Sequence, residues 1–256
     1  MPLLTTLALL VGQLWLGYLW PHAATDDTLE SRFAPPAGTT RVAVAADSFG
    51  GWLRRLPLKP VGTAVKLFDG RTKPRQDVHA AVVDLDVPPR DLQQCADAVM
   101  RLWAEYRYAS HVPVVFHPEP GKRTELRFAP ASDDAIAETN LHRRRNFERW
   151  LIRVFAEAGS ASLQAELKPA VGAVEPGDVL IQGGYPGHAI LVLDVAADAA
   201  GRRWVLLGQS YMPAQDFHVL HDAATKAPWF DAATLDGPGL ATPEWRPFVR
   251  KDLRRF

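Results

Sequence analysis

Between Val179 and Leu220 the chain carries four short apolar runs, Val179 to Gln182, Ala189 to Val195, Trp204 to Leu207 and Phe217 to Leu220, joined by turns that contain Gly or Pro. Runs of this length, bounded by turn residues, fit strands. The turn at Asp198 to Gly201 reads as a hairpin, so the start of its first strand and the end of its second lie side by side. Upstream, Val42 to Ala45, Val65 to Phe68 and His79 to Leu85 are further strand candidates, with turn chemistry at Asp69-Gly70. Helices are expected over Ser48 to Leu56, Asp91 to Tyr108 and His142 to Ala158. The second of these carries a stripe of Leu92, Cys95, Val99, Leu102 and Tyr106. The predicted fold class is α+β, an antiparallel sheet with packed helices, in a single domain over 41–256.

Before that domain stands an apolar run, Leu3 to Trp20, with no Lys or Arg until Arg32. It is predicted to be a signal peptide or an N-terminal membrane anchor over 1–24, which would make the protein periplasmic or exported, held at the inner membrane if the run is retained. The alternative is a hydrophobic first helix of a cytosolic domain. The polar stretch Thr25 to Arg32 and the breaker Ala34-Pro35-Pro36-Ala37-Gly38 read as a linker over 25–40.

Composition excludes several classes of function. Lys and Arg number 29 and Asp and Glu number 29, so there is no basic excess to displace counterions from nucleic acid. One Cys rules out an intrachain disulfide framework and any thiolate-rich zinc or iron–sulfur site. His188, His218 and His221 lack a ligand set of defined spacing, and there is no nucleotide-binding glycine loop, so neither metal nor cofactor is expected. Arg143, Arg144, Arg145, Arg149 and Arg153 are predicted to form a solvated cationic face on a helix whose apolar side is Phe147, Trp150, Leu151, Val154 and Phe155.

The residues that can carry chemistry are Cys95, His188 and Gln209. A cysteine nucleophile needs a base, and the base needs a third polar group to fix its tautomer. Cys95 lies early in the strongest predicted helix, where the dipole favours a thiolate, although a helix starting near Pro88 would put it in the second turn. His188 opens one strand, and Gln209 ends its hairpin partner. Each has a plainer reading: Cys95 as a core thiol beside Val99 and Leu102, His188 as a turn histidine bonded to backbone, and Gln209 as the polar end of a strand.

Several segments, Ser48 to Leu58, Asp91 to Leu102, Gly177-Asp178-Val179 with Pro186-Gly187-His188-Ala189, Gln209 to Gln215, Pro228-Trp229-Phe230 and Thr242-Pro243-Glu244-Trp245, resemble the uncharacterised bacterial domain-of-unknown-function family 4846. That resemblance runs from about residue 30 to the C-terminus and implies an exported protein without an assigned activity. Gly177-Asp178-Val179, Gly187-His188-Ala189 and Gln209 also resemble, in order, the papain-like cysteine amidases and peptidases of bacterial cell walls, with Cys95 standing further ahead of His188 than in the small wall amidases. This second resemblance implies a papain-like fold and hydrolysis of a cell-wall peptide amide, with peptidoglycan or another envelope component as partner. Cys95 would attack, His188 would move the proton and Gln209 would orient the ring. The Cys95 backbone N–H with Gln93 or Gln94 would hold the oxyanion, and Tyr185, Ser210 and Tyr211 would lie at the substrate. The open alternative is a non-catalytic envelope binding or assembly protein that uses the loops Gly183 to His188 and Ser210 to Gln215. Membrane contact is expected only through the N-terminal segment, and the sequence leaves the oligomeric state open.

Overall fold

Successive side chains of a strand point to opposite faces, so a strand that is apolar at odd and even positions must be covered on both sides. His188–Ala197 is such a strand, with nine of its ten residues buried. A computed structural model describes residues 20, 22, 26–129 and 140–256 and accounts for that burial. In chain order its elements are α1 (Leu29–Arg32), β1 (Thr40–Arg41), α2 (Phe49–Arg54), β2 (His79–Val82), α3 (Cys95–Ala109), β3 (Val114–Phe116) and β4 (Leu126–Phe128). There follow α4 (Asn140–Glu157), α5 (Ser160–Glu166), β5 (Lys168–Pro169), β6 (Val179–Gln182), β7 (His188–Ala197) and β8 (Arg203–Gln209). The chain ends with β9 (His218–Leu220), β10 (Trp229–Asp231), β11 (Leu240–Thr242), β12 (Trp245–Phe248) and β13 (Leu253–Arg255).

The protein is α+β. Nine strands form one sheet in the order β2-β9-β8-β7-β6-β13-β5, with β1 also pairing β7 and β10 pairing β8. These pairings are antiparallel. On one face Ala189, Leu191 and Leu193 meet Val99 and Leu102 of α3 and the side chains of α2 and α4. On the other, Ile190, Val192, Val205 and Leu207 pack under Phe230, Leu235, Leu240 and Phe248. This double cover is why the central strands read as unbroken apolar runs.

The structure moves several predicted boundaries. The reading of 25–40 as a linker is corrected: Leu29 and Phe33 are buried, and the Trp229 indole donates to the Ala34 carbonyl at 2.9 Å. Enough apolar surface lies in Leu29 and Phe33 to hold a four-residue helix and two prolines on the core, so this stretch belongs to the folded body. Of the predicted export segment, residues 1–19, 21, 23 and 24 lie outside the described residues. Trp20, at its end, is buried edge-on against Trp52, with its indole N–H on the Asp84 carbonyl at 2.7 Å. Among the described residues no helix is long and apolar enough to cross a membrane. Val65 to Phe68 makes only isolated bridges, and α5 follows the helix predicted over His142 to Ala158 after a break at Gly159. The cationic face of α4 is partly corrected too, since Arg144 turns inward and clasps the buried Glu105 carboxylate with both terminal nitrogens, at 2.6 and 2.8 Å.

One buried carboxylate locks the first elements to the sheet. A register shift between Val192 and Asp194 re-aims the strand. Asp194, fully buried, then accepts Arg41 Nε of β1 at 2.6 Å, Arg54 Nε of α2 at 2.7 Å and the Val195 N–H at 2.8 Å. Removing the anion would leave two guanidinium groups, largely buried, with no counter-charge. Asp194→Ala is expected to cost roughly 3–5 kcal/mol in urea unfolding, with the m-value little changed. A loss below about 1 kcal/mol would show that water replaces the anion.

Candidate functional site

Two acidic side chains decide where α3 starts. Asp91 accepts the Ala214 N–H at 2.7 Å and the Gln94 side-chain amide at 2.9 Å, which holds 91–94 outside the helix. Asp97 then caps the Gln94 N–H at 3.0 Å. The helix therefore begins at Cys95, four residues later than predicted, and the thiol stands in the first turn rather than the second. There the backbone N–H groups have no intrahelical acceptor, and those of Cys95 and Ala96 face the sulfur. Cys95 Sγ lodges against the backbone on both sides of His188: the Gly187 carbonyl at 3.9 Å and the Ala189 N–H.

The hairpin brings the other two residues together. Leu191 pairs with Gly208, so Gln209 lies across from Ile190 and shares a face with His188. His188 Nε2 and Gln209 Oε1 are 2.8 Å apart, both residues fully buried. Three rings enclose the imidazole, with centroids at 5.0 Å for Trp245, 5.1 Å for Tyr211 and 6.3 Å for Phe248. Beyond Gln209 the polar chain continues to residues that sequence reasoning did not single out. Gln209 Nε2 donates to Glu244 Oε2 at 2.9 Å, and Lys73 Nζ pairs with the same oxygen at 2.5 Å. Glu244 sits between β11 and β12, in the Thr242 to Trp245 segment that carried a resemblance but no assigned role.

The Cys95 thiol and the His188 imidazole are both neutral at pH 7. Burial pushes the Cys95 thiol up to about 11, against the Ala189 N–H, which lowers it. The helix start is thus where a thiolate would be favoured, and burial outweighs it. Burial likewise pulls His188 down to about 4, the Gln209 bond opposing and the Lys73 charge assisting. Among the described residues His188 Nδ1 has no partner.

Cys95 forms part of a cleft of about 360 Å³ whose walls include Leu92, Gln94, Ser160, Tyr185 and Met212. Tyr185, 98% exposed, stands at its rim. His188 and Gln209 lie behind this lining. Gln94 is half-buried in the wall, its amide on Asp91. The oxyanion role expected of Gln93 is corrected, because its carbonyl oxygen accepts Arg101 Nη1 at 2.6 Å and the residue is fully buried. Ser210 is likewise turned inward, its hydroxyl donating to the Gln215 carbonyl at 2.9 Å. The Tyr211 hydroxyl donates to the Glu244 carbonyl at 2.9 Å, so its ring covers His188 and its polar end is occupied.

A family model described as a domain of unknown function (4846) matches residues 29–255. No curated protein and no solved structure matches the chain.

Two pH dependences follow from the neutral pair. Cys95 alkylation by iodoacetamide is expected to stay slow at neutral pH and to rise about tenfold per pH unit above it, as thiolate forms towards a pKa near 11. A reactivity midpoint below the free-thiol value of about 8.5 would contradict it. His188 is neutral in the folded chain down to about pH 4 and takes a proton near 6.5 once unfolded. Stability is therefore present in full above pH 6.5 and falls between 6.5 and 4, by roughly 3 kcal/mol from this group. Urea unfolding at pH 7 and pH 4.5 should show the loss, and His188→Gln should reduce it by about that amount, the remainder coming from the buried His218, which desolvation also holds well below its ordinary value.

Proposed function

We propose that this chain, which belongs to the domain-of-unknown-function 4846 family, is a cysteine-dependent amide hydrolase of the papain-like kind, acting on peptide amides of the cell envelope. The observation that carries the reading is the conjunction at one end of β7. A thiol on the first residue of a fifteen-residue helix lies against the backbone flanking a histidine. That histidine is oriented through Nε2 by Gln209 and keeps Nδ1 without a partner. A buried Cys on a core stripe has no use for such an imidazole.

With thiol and imidazole both neutral, proton transfer accompanies attack. In this structure the thiol faces the Gly187 carbonyl at 3.9 Å and makes no bond to the imidazole, so the step begins with the thiol turning to His188 Nδ1; Cys95 Sγ then forms a bond to the amide carbonyl carbon as its proton passes to that nitrogen. The oxyanion is held by the Cys95 and Ala96 N–H groups at the helix start, with Gln94 on the cleft wall beside them. The imidazolium then protonates the leaving nitrogen as the C–N bond breaks, and a water deprotonated by His188 hydrolyses the thioester. The substrate class, cell-wall peptide, comes from the resemblance and from the apolar run Leu3 to Trp20, which would deliver the domain outside the cytoplasm. Tyr185 and Met212, exposed at the cleft mouth, supply apolar surface for a side chain of the substrate.

The test is release of free amine from purified peptidoglycan stem peptides, followed by mass spectrometry. Wild-type protein is expected to cleave, Cys95→Ser and His188→Ala to lose at least about a hundredfold, and Gln209→Ala to lose less. Equal product with wild type and Cys95→Ser would end the hydrolase reading. Binding of the peptides without cleavage would put the envelope-binding reading in its place.

A further inference from the structure

We infer that the buried Lys73–Glu244 pair is a positioning device that sets the His188 tautomer through the orientation of the Gln209 amide. The inference rests on the proposed hydrolase chemistry for its purpose, and on geometry alone for its content. A carboxylate has no hydrogen to donate. Glu244 Oε2 is 2.9 Å from one end of the Gln209 amide, so that end is the NH2 group and the carbonyl oxygen is the end at 2.8 Å from His188. A carbonyl oxygen only accepts, so Nε2 carries the ring proton and Nδ1 is left as a bare lone pair. Turning the amide over would put NH2 against His188 and the carbonyl oxygen against the Glu244 carboxylate: it would leave two acceptors facing each other, move the ring proton to Nδ1 and remove the base.

Lys73 keeps Glu244 acceptor-only. The two side chains are 5% and 7% exposed, and Nζ lies 2.5 Å from the oxygen that accepts Gln209. An ammonium has only hydrogens to offer, so the oxygen that Lys73 and Gln209 share is held as the acceptor of both. Burial pulls the Lys73 ammonium itself below its ordinary value. The Tyr211 hydroxyl on the Glu244 carbonyl, and Arg75 Nη1 on the Pro243 carbonyl at 2.9 Å, hold the loop that aims the carboxylate. Glu244 thus acts two groups away from the reacting sulfur, on the imidazole rather than on the substrate.

The experiment reads the His188 ring nitrogens by 15N NMR at pH 7, where the imidazole is neutral. In the wild type, Nε2 is expected protonated and Nδ1 bare. Lys73→Met/Glu244→Gln removes both charges and keeps an acceptor oxygen facing Gln209, so it should preserve that pattern. Lys73→Met/Glu244→Leu removes the acceptor within the same apolar replacement and should show a mixture, with a population protonated at Nδ1. A wild-type ring protonated at Nδ1, or a ring unchanged in Lys73→Met/Glu244→Leu, would overturn the inference. Should the second variant fail to fold, Gln209→Leu gives the same reading by deleting the messenger, with mixed tautomers expected and an unchanged ring contradicting. Tautomers that respond as expected in a protein that cleaves no peptide would retain the positioning role and reject the hydrolase, so the two failures are distinguishable. If cleavage is observed, loss of kcat with KM unchanged in Lys73→Met/Glu244→Leu is the kinetic counterpart.

Discussion

The pairing of β7 with β8 is the constraint on which the rest of the architecture depends. An antiparallel hairpin returns its last residue beside its first, and here those residues are Gln209 and His188. Both faces of the hairpin are apolar, so it dictates its own surroundings: α3 and its neighbours must cover Ala189, Leu191 and Leu193, and the β10 to β12 region must cover Ile190, Val192 and Leu207. The two layers meet at the open end of the hairpin, where Cys95 arrives from the helical side and Glu244 from the other. The position of the site is thus a consequence of burying one hairpin on both faces.

Charges inside the protein serve to tie elements to that hairpin rather than to make a surface field. Asp194 joins β1 and α2 to β7, and Asp178 joins the chain end to the loop before β6 through Arg255 at 2.6 and 2.9 Å. Glu105 joins α3 to α4 through Arg144. Arg101, on the same helix, bonds Gln93 and the Asp86 carboxylate and so closes the loop that leads into Cys95. Each partner removed singly would strand a buried charge, whereas the pair is close to neutral against apolar residues of the same volume. Such pairs therefore specify which elements lie together more than they add stability.

The sequence made the strands legible because doubly buried strands appear as unbroken apolar runs, and β6 was readable to the residue. It made the contact of His188 with Gln209 legible because hairpin geometry links residues 188 and 209 without any long-range information. The start of α3 was not legible. Asp91 and Asp97 are both capable caps, and the choice is made by the Ala214 N–H, which lies more than a hundred residues away and takes Asp91. Residues 25–40 misled for a similar reason: prolines and polar residues look like a linker until the core that receives Leu29 and Phe33 is known. Glu244 was invisible as a participant because its partners, Gln209 and Lys73, come from distant segments, and an acidic residue at a hairpin tip is ordinarily solvated.

What burial does to the two reacting groups bears on how such a site would work. Desolvation raises the thiol and lowers the imidazole, so it opposes a resting thiolate–imidazolium pair from both sides. The helix start and the Ala189 N–H act the other way on the sulfur, and at rest they lose. The balance changes once negative charge moves off the sulfur onto a carbonyl oxygen at the helix start, because the Cys95 and Ala96 N–H groups then face the charge directly and the imidazolium gains a counter-ion. An arrangement of this kind would stabilise a transition state without stabilising a reactive ground state, and burial with a raised pKa keeps Cys95 slow towards oxidation and adventitious alkylation. It also makes the tautomer of His188 decisive. A resting ion pair would carry a proton on both ring nitrogens and be indifferent to which one Gln209 contacts. A neutral imidazole can act as base only if the proton is held at Nε2, so the depth of the site and the Gln209–Glu244–Lys73 chain belong to the same physical arrangement.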